Sequence, residues 1–109
     1  MTKTIYIKEG DVLPVVEATL KFEDETGMDL TDCTVKFHMI DAEGTEKVNA
    51  SAVITDVGPP GKVEYRWIST DTDTPGRFRG EFEVTRLDGK IQTWPTLEKL
   101  EIIILEEYA

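Results

Sequence analysis

Apolar residues in this chain recur at every second position in short runs, and the runs end in clusters of glycine, proline or aspartate. A period of two puts alternate side chains on opposite faces of a strand, and this pattern, not a helical period, dominates the sequence. It is clearest between Ser69 and Pro95. A polar turn is followed by Phe78, Gly80, Phe82 and Val84 on one face, with Arg77, Arg79, Glu81, Glu83 and Thr85 on the other. Asp88-Gly89 and a returning run, Ile91 to Trp94, complete the stretch. Asp-Gly supplies the positive φ that tight hairpin turns require. The stretch predicts a β-hairpin whose inward phase lies at the centre of a core.

The rest of the chain fits around it. Thr4 to Lys8 forms a short first strand, and Pro14, which has no amide to give to a ladder, marks a sheet edge or the kink where the chain changes sheets. Val16, Ala18, Leu20 and Phe22 then alternate with Glu17, Thr19, Lys21 and Glu23, and the polar run from Asp24 to Asp32 is a loop. Cys33, Val35, Phe37 and Met39 define the next strand, with the cysteine at its buried start and Asp41 to Gly44 as its closing turn. Val48 to Val57 alternates more weakly. Gly58-Pro59-Pro60-Gly61 is a tight connection before Val63, Tyr65 and Trp67. The expected core is Leu20, Phe22, Val35, Phe37, Val63, Tyr65, Trp67, Phe78, Phe82 and Val84.

Pro95 interrupts the ladder ahead of a last strand, Leu97 to Leu105. Leu100, Ile102 and Ile104 share one face of it, and Ile103 and Leu105 the other. A helix over residues 97–107 competes with this reading, but three consecutive isoleucines have stiff, branched side chains that favour the strand. About seven to eight short strands at roughly 8–12-residue spacing indicate an all-β, antiparallel sandwich.

The 109 residues suit one domain spanning 1–109. A single cysteine allows no internal disulfide, so packing must hold the fold. No window approaches the ~18 apolar residues of a membrane span, and the N-terminus lacks the apolar core of a secretory signal, so no membrane partner is expected. A net charge of −10 argues against nucleic acid as a partner, because phosphate binding depends on basic residues; it favours solubility and would suit a basic protein surface.

No residue set carries chemistry. His38, the only histidine, lies on the outward phase of its strand with no nucleophile at a credible spacing, which makes it a surface residue. Cys33 has no basic setting to activate it. The acidic loop from Glu23 to Asp32 and the pair Asp71 and Asp73 lack the ordered ligand spacing of a calcium loop, so no metal or other cofactor is expected. Glu81 and Glu83 project beside Arg77 and Arg79, as cross-strand ion pairs would. An enzyme is not expected.

Two features suit binding. The last strand is apolar on both faces, so its second face is covered either by a partner or by the chain's own N-terminal strand. Trp94, beside Pro95, either anchors an interface or caps the open end of the sandwich. The interface candidates are therefore Trp94, Leu100, Ile102, Ile103, Ile104 and Leu105.

Three stretches, DLTDCTVKFHMID (Asp29 to Asp41), GKVEYRWISTDTDTPGRFRGEFEVTRLDGKIQTWP (Gly61 to Pro95) and the closing LEIIIL, together resemble the N-terminal domain of BppU-type phage baseplate upper proteins. Leu30, Thr31, Val35 and Phe37 match one strand of that pattern, and Gly61, Val63, Tyr65 and Trp67 the next. Asp73, Pro75, Gly76, Phe78, Glu81, Phe82, Glu83 and Val84 match a third. Departures are Phe78 for the usual tyrosine, Gly80 for alanine and Trp94 for phenylalanine. Without the phenol at Phe78, no tyrosine corner is expected there.

The resemblance implies an immunoglobulin-like sandwich and a single-domain, shortened relative of proteins that continue into a receptor-binding-protein carrier region. It implies a non-enzymatic virion component of a tailed bacteriophage, made in the host cytoplasm, that contacts other virion proteins as a homo-oligomer or in multiple copies on a symmetric particle. A tail baseplate or neck adaptor is the first expectation. Capsid decoration or a head-fibre base is the alternative, as is a carbohydrate-binding module that would need Trp94, Tyr65 or Tyr108 on one exposed platform.

Overall fold

The computed structural model describes residues 2–22, 24–95 and 99–108. Glu23, expected on an outward strand face, and Leu97, expected to open the last strand, lie outside the described residues. Among the described residues nine strands are present: β1 (Thr2–Lys8), β2 (Val16–Leu20), β3 (Thr34–Asp41), β4 (Glu46–Ser51), β5 (Val53–Asp56), β6 (Gly61–Tyr65), β7 (Gly76–Thr85), β8 (Ile91–Trp94) and β9 (Lys99–Leu105). A single 3-10 turn, Ser69–Thr72, separates β6 from β7. The strands form two facing sheets. The larger runs β1-β9-β7-β3-β4 with β8 also on β7, and the smaller runs β2-β6-β5. All pairings are antiparallel except β1 with β9, which is parallel.

One expected segment divides into two strands, and the sheets explain why. Val48 to Val57 alternates weakly because β4 belongs to the large sheet and β5 to the small one, with the changeover at Ala52, whose amide donates to Val35 O at 2.9 Å. In the large sheet, β7 takes β8 as its partner from Phe82 to Thr85 and β9 from Gly76 to Gly80. The chain also changes sheets between β1 and β2, around Pro14.

The hairpin reading holds in register. Phe82 pairs with Trp94 and Thr85 with Ile91, and the turn closes through Arg86 N donating to Lys90 O at 2.8 Å with Gly89 at φ 87°. Phe37 on β3 lies opposite Phe82 on β7, and both are fully buried. From the small sheet, Tyr65 stacks on Phe37 at 4.7 Å between ring centroids, and Trp67 meets Phe37 edge-on at 5.8 Å. This cluster joins the two sheets. Gly80 makes room for it: a methyl group there would stand 2.9 Å from the Phe37 ring and from Ile102 Cδ1. Alanine at this position would force the Phe37 ring and the end of Ile102 to shift.

Phe22 departs from expectation. The strand ends at Leu20, and Phe22 N bonds Thr26 O at 2.8 Å, which turns the chain away and leaves the ring 37% exposed. Met28 and Leu30, from the loop that follows, fill the core instead; Met28 N bonds Leu20 O and Leu30 N bonds Val57 O. They are the only large apolar residues between Asp24 and Asp32, and they sit two apart, a weak trace of a strand phase inside a polar loop.

Phe78 forms no tyrosine corner, but a different phenol anchors the chain. Tyr65 Oη donates to the buried carboxylate of Asp71 at 2.5 Å, and Ile68 N donates to the same oxygen at 3.0 Å. Burial first, and then the bond to Asp71 and its charge, push the Tyr65 phenol pKa well up, so the phenol stays a donor. Fully buried Thr72 donates its hydroxyl to Asp11 O at 2.8 Å, and Trp67 Nε1 donates to Pro14 O at 3.0 Å. The 3-10 turn is thereby tied to the link between β1 and β2.

Tyr65→Phe keeps the stacked ring but removes one of the two bonds holding a buried carboxylate; unfolding free energy in urea should fall by about 2 kcal/mol. Gly80→Ala should lower it by about 1–3 kcal/mol through overpacking against Phe37, with native strand content retained by circular dichroism in both variants.

Candidate interaction surface

The last strand is not an edge. β9 lies between β7 and β1, so its backbone edges are both occupied, and Leu100, Ile102 and Ile104 point into the core at 2% exposure or less. These three are corrected from interface candidates to core residues. The chain's own N-terminal strand covers the edge of β9, pairing Ile5 with Ile102 and Ile7 with Ile104.

The opposite phase of β9 faces outward. Ile103 is half-buried and Leu105 is 42% exposed. The registers place Ile103 between Tyr6 on β1 and Arg77 on β7, and Leu105 beside Lys8. Tyr6 is 63% exposed. Lys8 Nζ sits 4.2 Å from the ring centroid of Tyr108 and donates to Glu106 O at 3.3 Å, which draws the C-terminal residues alongside. Tyr6, Ile103, Leu105 and Tyr108 thus belong to one outer region of the large sheet.

Charges on this face are loosely arranged. Arg79 lies opposite Ile40 and Glu101, Glu81 opposite His38, and Glu83 opposite Lys36 and Thr93. Among the described residues no ion pair joins Glu81 or Glu83 to Arg77 or Arg79, so the expected cross-strand pairing is not made. His38 is on the outward phase, but it is half-buried, and its Nε2 is buried without a hydrogen-bond partner. It lines a pocket of about 260 Å³ with Ile40, Arg79, Glu81, Pro95 and Lys99, where the partner of β7 changes from β8 to β9. Among the described residues, the pocket lining holds no hydroxyl or thiol nucleophile.

Trp94 is half-buried, its ring 6.4 Å from that of Phe82. Ile91 and Leu87, toward the hairpin tip, are 61% and 82% exposed. Arg86 binds this region to the loop before β3: Nη1 donates to Asp29 O at 2.5 Å and approaches Cys33 Sγ at 3.6 Å, and Nη2 reaches Gln92 Oε1 at 3.5 Å. Cys33, expected at a buried strand start, is half-buried one residue ahead of β3. Asp29 accepts from the Thr31 hydroxyl at 2.7 Å and the Thr31 amide at 2.9 Å; these bonds, with a smaller contribution from Arg86, hold its carboxyl below the ordinary 3.8.

Tyr65 and Trp67 are core residues, so the three aromatics proposed for a sugar platform, Trp94, Tyr65 and Tyr108, are not assembled on one surface. Among the described residues no group of three or more His, Cys, Asp or Glu is placed to hold a metal ion, and no helix is long and apolar enough to cross a membrane.

Among the described residues, the large sheet of this two-sheet β-sandwich carries an outer row of apolar side chains. Residues 1–95 match the BppU N-terminal domain family, and the chain belongs to that family of phage baseplate-related structural proteins. No curated protein matches the sequence. Among solved structures, the crystal structure of CopC from Methylosinus trichosporium OB3b is similar, with a TM-score of 0.54 over 99% of this chain and 89% of that chain. At 16% identity the likeness is one of fold.

Because the Asp29 pKa is depressed on folding, its contribution to stability is present above pH 3.8 and is lost as pH falls through the lower folded value. The stability gap between wild type and Asp29→Asn, measured by denaturation across pH, should be constant near neutrality and close in acid.

Proposed function

We propose that this protein is a non-enzymatic structural component of a tailed-bacteriophage virion, a tail baseplate or neck adaptor that works through protein–protein contacts. The observation that carries the reading is its membership of the BppU N-terminal domain family over residues 1–95. The outer row of Tyr6, Ile103 and Leu105 supports it, because apolar side chains grouped on one face are what a protein contact covers. The sandwich domain is present in several copies on a symmetric particle, with other virion proteins as partners.

The contact surface is the outer phase of β9, centred on Ile103, together with the end of the sandwich that bears Trp94. Ile103→Asp places a charge where a partner would bury a methyl group, and it costs the isolated fold about 1 kcal/mol or less. Purified particles should contain the wild-type protein, with immunogold labelling at the tail tip or neck, and should incorporate the Ile103→Asp variant at a reduced level. Absence from purified particles would overturn the role, and labelling on the head would move it to capsid decoration or a head-fibre base.

A further inference from the structure

The large sheet forks at β7. Its partner on one side is β9 from Gly76 to Gly80 and β8 from Phe82 to Thr85, so among the described residues Glu81 pairs with neither of them. On the other side His38 of β3 stands opposite Glu81 without a break in register. The fork leaves a hollow of about 260 Å³ on the outer face of the sheet. His38, Ile40, Arg79 and Glu81 supply its floor, and Pro95, just past β8, and Lys99, at the start of β9, its ends. Most small-molecule sites exceed ~300 Å³; this hollow has room for one side-chain head group.

The groups around it suit an anion. Most of the chain's 12 cations are engaged: Lys3 by Glu17 O at 2.8 Å, Lys8 by Glu106 O, Arg86 by Asp29 O, Lys47 by Asp73 and Arg66 by Glu64. Arg79 and Lys99 are exposed, and among the described residues neither makes an ion pair or a hydrogen bond. His38 adds a ring nitrogen, Nε2, that is buried without a partner, an uncommon state that an entering oxygen would end by accepting from it as an N–H. Glu81 is the one acid of the lining, so two cations face one carboxylate there, in a chain whose net charge is −10. A carboxylate fits this set, because the planar guanidinium of Arg79 matches its two oxygens and Lys99 brings a second charge to it.

We infer that this hollow receives the carboxylate of an aspartate or glutamate from the protein that covers the apolar row. The hollow and the row are neighbours on one face: Arg77 lies opposite Ile103, and Arg79, two residues on, lies opposite Glu101 and Ile40. A protein seated on Ile103 and Leu105 therefore brings its own side chains to the mouth of the hollow. Arg79 and Lys99 pair with the carboxylate there, which fixes where along the sheet the partner sits, while the apolar row supplies buried area. The inference rests on the contact surface proposed above for the partner's position; the chemistry of the hollow is independent of the virion setting.

The full chain, followed by amide NMR, should respond saturably at His38, Arg79 and Lys99 to a short peptide carrying one glutamate between leucines, and not to the same peptide with glutamine. Arg79→Gln combined with Lys99→Gln should weaken that binding about tenfold or more, and Lys62→Gln, on the small sheet, should leave it within about twofold. All three positions are exposed, so folding is retained. Equal response to the glutamine peptide, or equal loss with Lys62→Gln, overturns the site. Glutarate or inorganic phosphate binding as tightly as the glutamate peptide overturns the partner side chain as the source and gives the hollow to a free anion. In purified particles a carbodiimide, which joins an amine to a carboxylate in contact with it and takes up the water as a urea, should link Lys99 to an acidic residue of another virion protein. Links from Lys99 confined to this chain overturn the inference. Incorporation lowered by Ile103→Asp but not by the Arg79 and Lys99 double variant also overturns it and leaves the virion role standing. Peptide binding by a chain that is absent from particles supports the carboxylate site and overturns the virion role instead.

Discussion

The structure depends on the contact of Phe37 with Tyr65 and Trp67 across the space between the sheets. Phe37 comes from the strand that joins β4 to β7 and Tyr65 from the centre of the small sheet, so one stacked pair fixes the position of one sheet on the other. The contact is possible only because β7 has no side chain at Gly80, over which the Phe37 ring and Ile102 pack. The same tyrosine extends its phenol to Asp71, so the residue that joins the sheets also fastens the turn leading into β7. Loss of order in the turn would therefore reach the core directly.

The outer surface follows from that arrangement. Once Phe78 and Gly80 point inward, β9 must set Leu100, Ile102 and Ile104 beside them, and its remaining apolar residues, Ile103 and Leu105, have only the outer face left. The parallel addition of β1 then fills the edge of β9 and passes the open edge to the N-terminal strand. An apolar last strand with both edges satisfied presents a face and not an edge to a partner. Among the described residues the terminal strand of the sheet lies one strand further out, at β1.

Much of this was legible in the chain. The alternations in β2, β3, β6 and β7 assign the inward residues correctly because each of these strands keeps one face on the core along its length. Phe22 breaks that rule because the phase of a strand carries no information about where the strand stops; the turn at Thr26 decides that. Met28 and Leu30 were hidden by the polar residues around them, which cap and turn the loop while two side chains reach inward. The interface candidates on β9 mixed two faces, since three isoleucines in a row do not by themselves reveal which of them has a neighbour.

The sequence by itself determined the strand period, the hairpin at Asp88-Gly89 and the core aromatics other than Phe22, because all of these rest on local alternation and turn chemistry. Only the tertiary structure decided which strand lies at the edge, which carbonyls tie back Lys3 and Lys8, and which phenol meets Asp71. Those depend on pairings between residues as distant as Lys8 and Leu105, and a strand carries the same pattern of side chains whether its edge is paired or open.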